Sequence, residues 1–378
     1  MNIISYVKKY KNVSFKEMPF NNIDALIFAE LGYVNFGLAV SGDNFVAFKD
    51  VVIESVKDFY ISSFDATNNR KLFNIIKESE RYGDVQVGLC EELIDYKTNL
   101  QFNAMTFILP GGHFYISYRG TDISINGWKE DFLIAYKDYI PGVEIGAMYI
   151  HKVAKILNGR FYLGGHSKGG NLAVLSALNM DKMLNIRLLD VFSFDGPGTA
   201  KELHEFKNWE LVLPKVKKFI TNNDIIGVVY NKIKDAQIVY STGILLGGHD
   251  LFKWQVDLKK CDFKYSADRS FISKSHEKAL TNWLVNMSQE EKKLAVETLI
   301  EFLGESKTIY DLLFQAKRNF NLGRKKYAEY SVEEQEKTKE IFKQLGKYYL
   351  AAYSPVEIAR SKKEEKEENE NMLIESTK

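Results

Sequence analysis

Cysteine is scarce in this chain: Cys90 and Cys261 are the only two among 378 residues. They fall in segments that read as different elements, which excludes a disulfide framework or a paired-thiol metal motif and points to free thiols in a reducing compartment, the cytoplasm. An excess of one charge is missing as well. Lys and Arg number 51 against 50 Asp and Glu, a formal net charge of +1, so no global field draws the protein onto nucleic acid. Apolar runs such as 225–230 and 243–246 fall far short of the roughly 18 residues a spanning helix needs. Membrane insertion is therefore not expected, although peripheral contact with a lipid surface is compatible with this pattern. The segment Met1 to Lys9 places its lysines after a short apolar stretch, the reverse of a secretory signal. Histidines number six; His113 and His151 show no metal-ligand spacing, and H-E-x-x-H does not occur. No metal and no other cofactor is expected.

What is present is the mixture of a folded globular protein, 45% hydrophobic and 27% charged. The length suits one enlarged domain or one domain with appendages. Residues 1–90 read as helical, with Ile23, Leu26, Ile27 and Leu31 and then Leu72, Ile75 and Ile76 near a helical period, and form an expected cap. Residues 91–265 read as the core. Gln101 to Leu109 and His113 to Tyr118 are strand-like around the turn Pro110-Gly111-Gly112, and the sheet is expected to begin there. From Gly127 to Gly198 helices and strands alternate: helices near Trp128 to Tyr136 and Glu144 to Leu157, a strand from Arg160 to Leu163, a helix after Gly169, and a strand from Leu188 to Phe194. This βαβ rhythm implies a mostly parallel sheet covered by helices. Further strands are expected at Val216 to Thr221 and Gln237 to Ser241. Residues 266–360 read as a helical appendage opened by capping boxes at Ser288 with Glu291 and Ser331 with Glu334. Residues 361–378, mostly Lys and Glu, read as a disordered tail.

The chemistry concentrates in Phe161 to Asn171, which contains G-x-S-x-G as Gly165, Ser167 and Gly169. In such an elbow the serine sits on a strained strand-to-helix turn, and the glycines remove the Cβ atoms that would clash where strand and helix converge. At this chain's glycine frequency, 25 in 378, chance supplies about 0.1 such matches. The context, an apolar strand before and the small-residue helix with Leu172, Ala173, Leu175 and Ala177 after, favours the elbow. A serine needs a histidine to take its proton and an acid to orient that histidine, in the chain order Ser, Asp or Glu, His. Of the later histidines, His204 comes too early and His276 lies in the appendage. His249, in the loop Gly247-Gly248-His249-Asp250, is the candidate base. Asp224, after the strand ending at Thr221, is the candidate acid, with Asp195, one strand earlier, as its rival. For the oxyanion hole the backbone N–H of Lys168 and a donor from Thr121, through its N–H and hydroxyl, are the candidates. The side chain of Lys168 has no evident duty and is expected in solvent.

These residues resemble the class 3, fungal-type lipases. Arg119-Gly120-Thr121 with Trp128-Lys129-Glu130-Asp131 is similar to their R-G-[ST] and W-x-x-D, Gly165 to Gly170 to their G-H-S-x-G-G, and Asp224-Ile225-Ile226 to their D-[IV]-V. A bacterial family of class-3-lipase-like proteins of unassigned role is more similar still, through Phe20-Asn21-Asn22-Ile23-Asp24, G-H-S-K-G-G-N-L-A and F-D-G-P-G. The resemblance implies an α/β-hydrolase fold and a serine esterase that cleaves a small-molecule or lipid ester through an acyl-enzyme on Ser167. Two alternatives share the fold: an acyltransferase or thioesterase with the same triad, or a non-catalytic scaffold.

Overall fold

The computed structural model describes residues 1–122, 124–304, 306, 308, 311 and 316–361, and the expected charged tail lies, beyond Ser361, outside them. Its organising feature is the Pro110-Gly111-Gly112 turn. Gly111 and Gly112 take φ of +97° and +86°, a region open to glycine at no steric cost. The turn joins β3 (Leu100–Ile108) to β4 (Phe114–Tyr118) as an antiparallel hairpin, with Phe107 opposite Tyr115.

From β4 onward every neighbour is parallel. β5 (Phe161–His166), β6 (Leu188–Phe194), β7 (Val216–Thr221) and β8 (Gln237–Val239) follow in chain order, completing an eight-stranded sheet ordered β1 to β8. Helices α6 (Gly142–Ile156) and α7 (Lys168–Asn179) supply crossovers between its parallel strands. This is the α/β-hydrolase architecture, a mostly parallel sheet with helices on its faces.

The sheet begins earlier than the sequence reading placed it. β1 (Phe45–Ala47) and β2 (Gln86–Asp95) lie inside or at the edge of the stretch read as helical and add an antiparallel margin. The sequence conceals them for physical reasons. β1 has three residues, and β2 is broken by a register shift between Gly88 and Glu91 with Leu89 at φ +51°, so neither shows a clean period of two.

Side chains alternate across the sheet and build two cores. Tyr115, Phe107, Phe192 and Phe194 face the N-terminal helices α1 (Ile3–Tyr10), α2 (Asn22–Leu31) and α4 (Ala66–Lys77). Phe114, Ile116, Tyr118 and Leu163 face α6 and α7. The N-terminal layer is welded on by a buried ion pair, Arg81 to Asp24 at 2.5 Å, with Tyr82 Oη also donating to Asp24 at 2.6 Å. After a short α3 (Val56–Phe59), α5 (Ile125–Leu133) and α8 (Trp209–Val212), the chain ends in α9 (Phe271–Val285), α10 (Gln289–Leu303), α11 (Ala316–Ala328) and α12 (Val332–Ala352). Both capping boxes are formed, at Ser288 with Glu291 and at Ser331 with Glu334. No helix among the described residues is long and apolar enough to cross a membrane.

Candidate active site

Ser167 follows the last residue of β5 and caps α7 with φ +57° and ψ −130°. A non-glycine residue in that region is strained, and the surroundings must hold it there. They do so on both sides: Ser167 N donates to Phe194 O of β6 at 2.9 Å, and Ser167 O accepts from Gly170 N at 2.9 Å. The flanking glycines are needed for close approach. A Cβ on Gly165 would sit 2.4 Å from Tyr118 O and 2.5 Å from Gly169 C, and one on Gly169 would sit 2.1 Å from Tyr118 O.

His249, on the loop after β8, meets the residue before the elbow serine, its main-chain oxygen lying 2.9 Å from His166 Nε2. Its Nδ1 lies 3.1 Å from Asp195 Oδ2, the side chain of His249 being 16% exposed and that of Asp195 wholly buried. Asp195 stands at the end of β6, the strand beside β5, and takes φ +47° there. Its Oδ1 accepts from Thr221 N at 3.1 Å. Asp224 is one strand farther out, where its Oδ1 accepts from Ile226 N at 2.7 Å and Gly227 N at 2.9 Å, closing the turn after β7. The hydrogen bond to the imidazole is therefore made by Asp195, the rival in the sequence reading, and not by Asp224.

A second histidine sequence reasoning had passed over fixes the loop. The main-chain oxygen of His249 can only accept, so at 2.9 Å His166 Nε2 donates to it; the remaining nitrogen, Nδ1, then accepts from Tyr33 Oη at 3.0 Å. The two imidazoles stack with centroids 4.2 Å apart. Burial, then the neighbouring His249, holds His166 well below the usual histidine range, in keeping with the neutral tautomer the contacts require. The signal was in the motif, since His166 is the residue before Ser167. His166, Asp195 and His249 also offer ligand atoms within 4.8 Å of one another. Their hydrogen bonds already engage both nitrogens of His166 and Nδ1 of His249, and the set is a hydrogen-bonded chain and not a metal cage.

Thr121 is buried and its hydroxyl donates to Asp131 Oδ2 at 2.5 Å. Burial pushes the Asp131 carboxyl up to about 6, against the pull of Lys168 and of the Thr121 hydrogen bond. The hydroxyl proton of Thr121 is thereby committed to Asp131. Lys168 opens α7, where first-turn N–H groups lack helical partners. Its side chain corrects the expectation of solvent exposure. It is fully buried, with Nζ 2.8 Å from Glu130 Oε2 and hydrogen bonds to Gln101 O at 2.9 Å and Gln101 Oε1 at 3.1 Å. The cause is long range: Glu130 on α5 leaves a buried carboxylate that only a cation can match, and Lys168 is the one within reach.

Burial also sets the electrostatics on the base side. It pulls His249 below the ordinary histidine value. It raises Asp195 well above the carboxylate range and lifts Asp224 to about 7, the second cause at Asp224 being Asp195 itself.

Residues 76–301, more than half of the sequence, match the Mbeg1-like family model. The chain belongs to the Mbeg1-like family. No curated protein matches this Mbeg1-like chain. Among solved structures, the crystal structure of M37 lipase is similar at 16% identity, over 56% of this chain and 71% of that one, with a TM-score of 0.38.

Proposed function

We propose that this protein is a serine hydrolase that cleaves carboxylic esters, lipid or other acyl esters, through an acyl-enzyme on Ser167. The observation that carries the reading is the His249–Asp195 pair moored by His166, the chain neighbour of Ser167, above a strained strand-to-helix elbow. In the proposed cycle His249 Nε2, left free by the contact of Nδ1 with Asp195, takes the Ser167 proton as Oγ attacks the acyl carbon. Asp195 stabilises the imidazolium, and the backbone N–H groups of Lys168 and Thr121 donate to the oxyanion. His249 then protonates the leaving alcohol, and water repeats the sequence to release the acid. Because Nε2 must be unprotonated to act as base, the depressed pKa of His249 favours activity at neutral pH and places its loss below the ordinary histidine value.

Ile244, Leu245 and Leu246 are exposed at 68%, 48% and 59% on the loop that leads into His249, an apolar surface suited to an acyl chain or to peripheral contact with lipid. The free cysteines Cys90 and Cys261 support action in the cytoplasm. A fluorophosphonate probe tests the reading: the wild-type chain is expected to label and Ser167→Ala to lose all labelling, with a panel of p-nitrophenyl esters of graded chain length defining the acyl group. A wild-type protein that neither labels nor hydrolyses any ester would overturn the enzymatic reading in favour of a scaffold.

A further inference from the structure

Two buried carboxyl groups meet behind His249, and the proposed cycle uses only one of them. Asp195 and Asp224 are each 0% exposed. One oxygen of Asp195 faces His249 Nδ1 and the other accepts from Thr221 N. Asp224 Oδ1 accepts two backbone N–H groups, whereas Asp224 Oδ2 is buried with no donor facing it. The two residues are neighbours at the ends of β6 and β7, on either side of Gly227. Gly227 is what allows it: a Cβ there would stand 2.6 Å from Asp224 Oδ2 and 2.9 Å from Asp195 Cα.

One cation, Lys218, interacts with both carboxyl groups, a single positive charge for two acids. Lys218 is buried on β7 and its ammonium donates to Gly196 O at 2.6 Å. The other ionisable groups facing this cluster are His249, Asp131 and Asp250 around the imidazole, and Glu277 of α9 toward Lys218. Two carboxylates in contact inside a protein cannot both ionise without a counter-charge between them, and an acceptor-only oxygen facing another acceptor has no attractive geometry unless one of them carries hydrogen.

We propose that Asp195 and Asp224 share a single proton, with Asp224 the neutral carboxylic acid whose Oδ2–H donates to the ionised carboxylate of Asp195. Asp224 is then a positioning residue: it fixes the orientation of Asp195 and through it the imidazole, without adding a second negative charge. The kinetic arm of the test rests on the ester-hydrolase reading above; the spectroscopic arm does not.

Asparagine is the isostere of a neutral aspartic acid here, its oxygen accepting from Ile226 and Gly227 and its amide donating to Asp195. Asp224→Asn is therefore expected to lose no more than about tenfold in kcat, Asp224→Ala about a hundredfold, and Asp195→Asn about 10³- to 10⁴-fold, the scale seen when a triad carboxylate is neutralised. The acidic limb of kcat/KM should stay in place in Asp224→Asn, because no charge is removed near His249. An Asp224→Asn enzyme as damaged as Asp195→Asn, or one whose acidic limb moves to lower pH, would overturn the assignment. Infrared difference spectra at neutral pH decide independently of turnover. Wild type minus Asp224→Asn should show the loss of one protonated-carboxyl stretch that persists in Ser167→Ala; its absence overturns the shared proton even in a protein found to hydrolyse esters, and its presence in a protein that hydrolyses none overturns only the enzymatic reading.

Discussion

The buried acids of the candidate site fall into two groups, one on α5 and one at the ends of β6 and β7, and the two groups are neutralised differently. On α5 Glu130 meets the Lys168 ammonium at 2.8 Å, both side chains wholly buried. Beside it in the chain, Asp131 receives the Thr121 hydroxyl but keeps Oδ1 without a partner. At the strand ends Asp195 and Asp224 have one cation, Lys218, between them in charge count, and its ammonium donates to Gly196 O. A carboxylate matched by a contacting cation serves as a fixed strut between elements, here α5 and α7. One that lacks such a match is pushed by burial toward the pH range in which an enzyme works, and so can take part in chemistry.

The comparison breaks most severely at the strut. Lys168→Met leaves Glu130 buried without its cation, and removing one partner of a buried pair costs about 3–5 kcal/mol, which for a chain of this size lowers Tm by roughly 4–6 °C. The double variant with Glu130→Met should regain most of that loss in a thermal melt. A single variant that melts like wild type would show that the pair holds nothing.

Asp131 sharpens the contrast through pH. Its folded-state pKa of about 6 lies above its ordinary value of 3.8, so the folded protein binds this proton more tightly than the unfolded chain does. The resulting stabilisation is present in full below the unfolded value and is lost as pH rises through about 6, at most about 3 kcal/mol. Asp131→Asn keeps an oxygen for the Thr121 hydroxyl but cannot ionise. The Tm of wild type relative to this variant should therefore fall between pH 4 and pH 7.5, and a difference that stays flat would contradict the burial argument.

The smallest effect belongs where no charge is at stake. Tyr33→Phe removes the donor to His166 Nδ1 and leaves a buried nitrogen unmatched, worth about 1–2 kcal/mol. Probe labelling of Ser167 should slow only a few-fold, and a collapse of labelling would mean that the Tyr33 hydroxyl does more than brace His166.

Much of the fold was legible in the sequence because periodicity and turn chemistry are local. The strands at Leu188–Phe194 and Val216–Thr221 stand where the apolar runs placed them, and the glycines of the 110–112 turn announce the hairpin. The elbow was legible for the same reason. What escaped depends on reach across the sheet. Chain order ranks Asp224 and Asp195 but says nothing about which carboxylate meets a loop returning over β6. The burial of Lys168 is set by Glu130 on another helix, which no window around Ser167 contains. Tyr33 meets His166 only because α2 packs against the sheet beside β5.

The loop bearing His249 is tethered by its carbonyl as well as by its ring. An anchor on the main chain separates where the residue stands from how its side chain turns. Had the mooring been made through the ring alone, every turn of the imidazole would have cast off the loop.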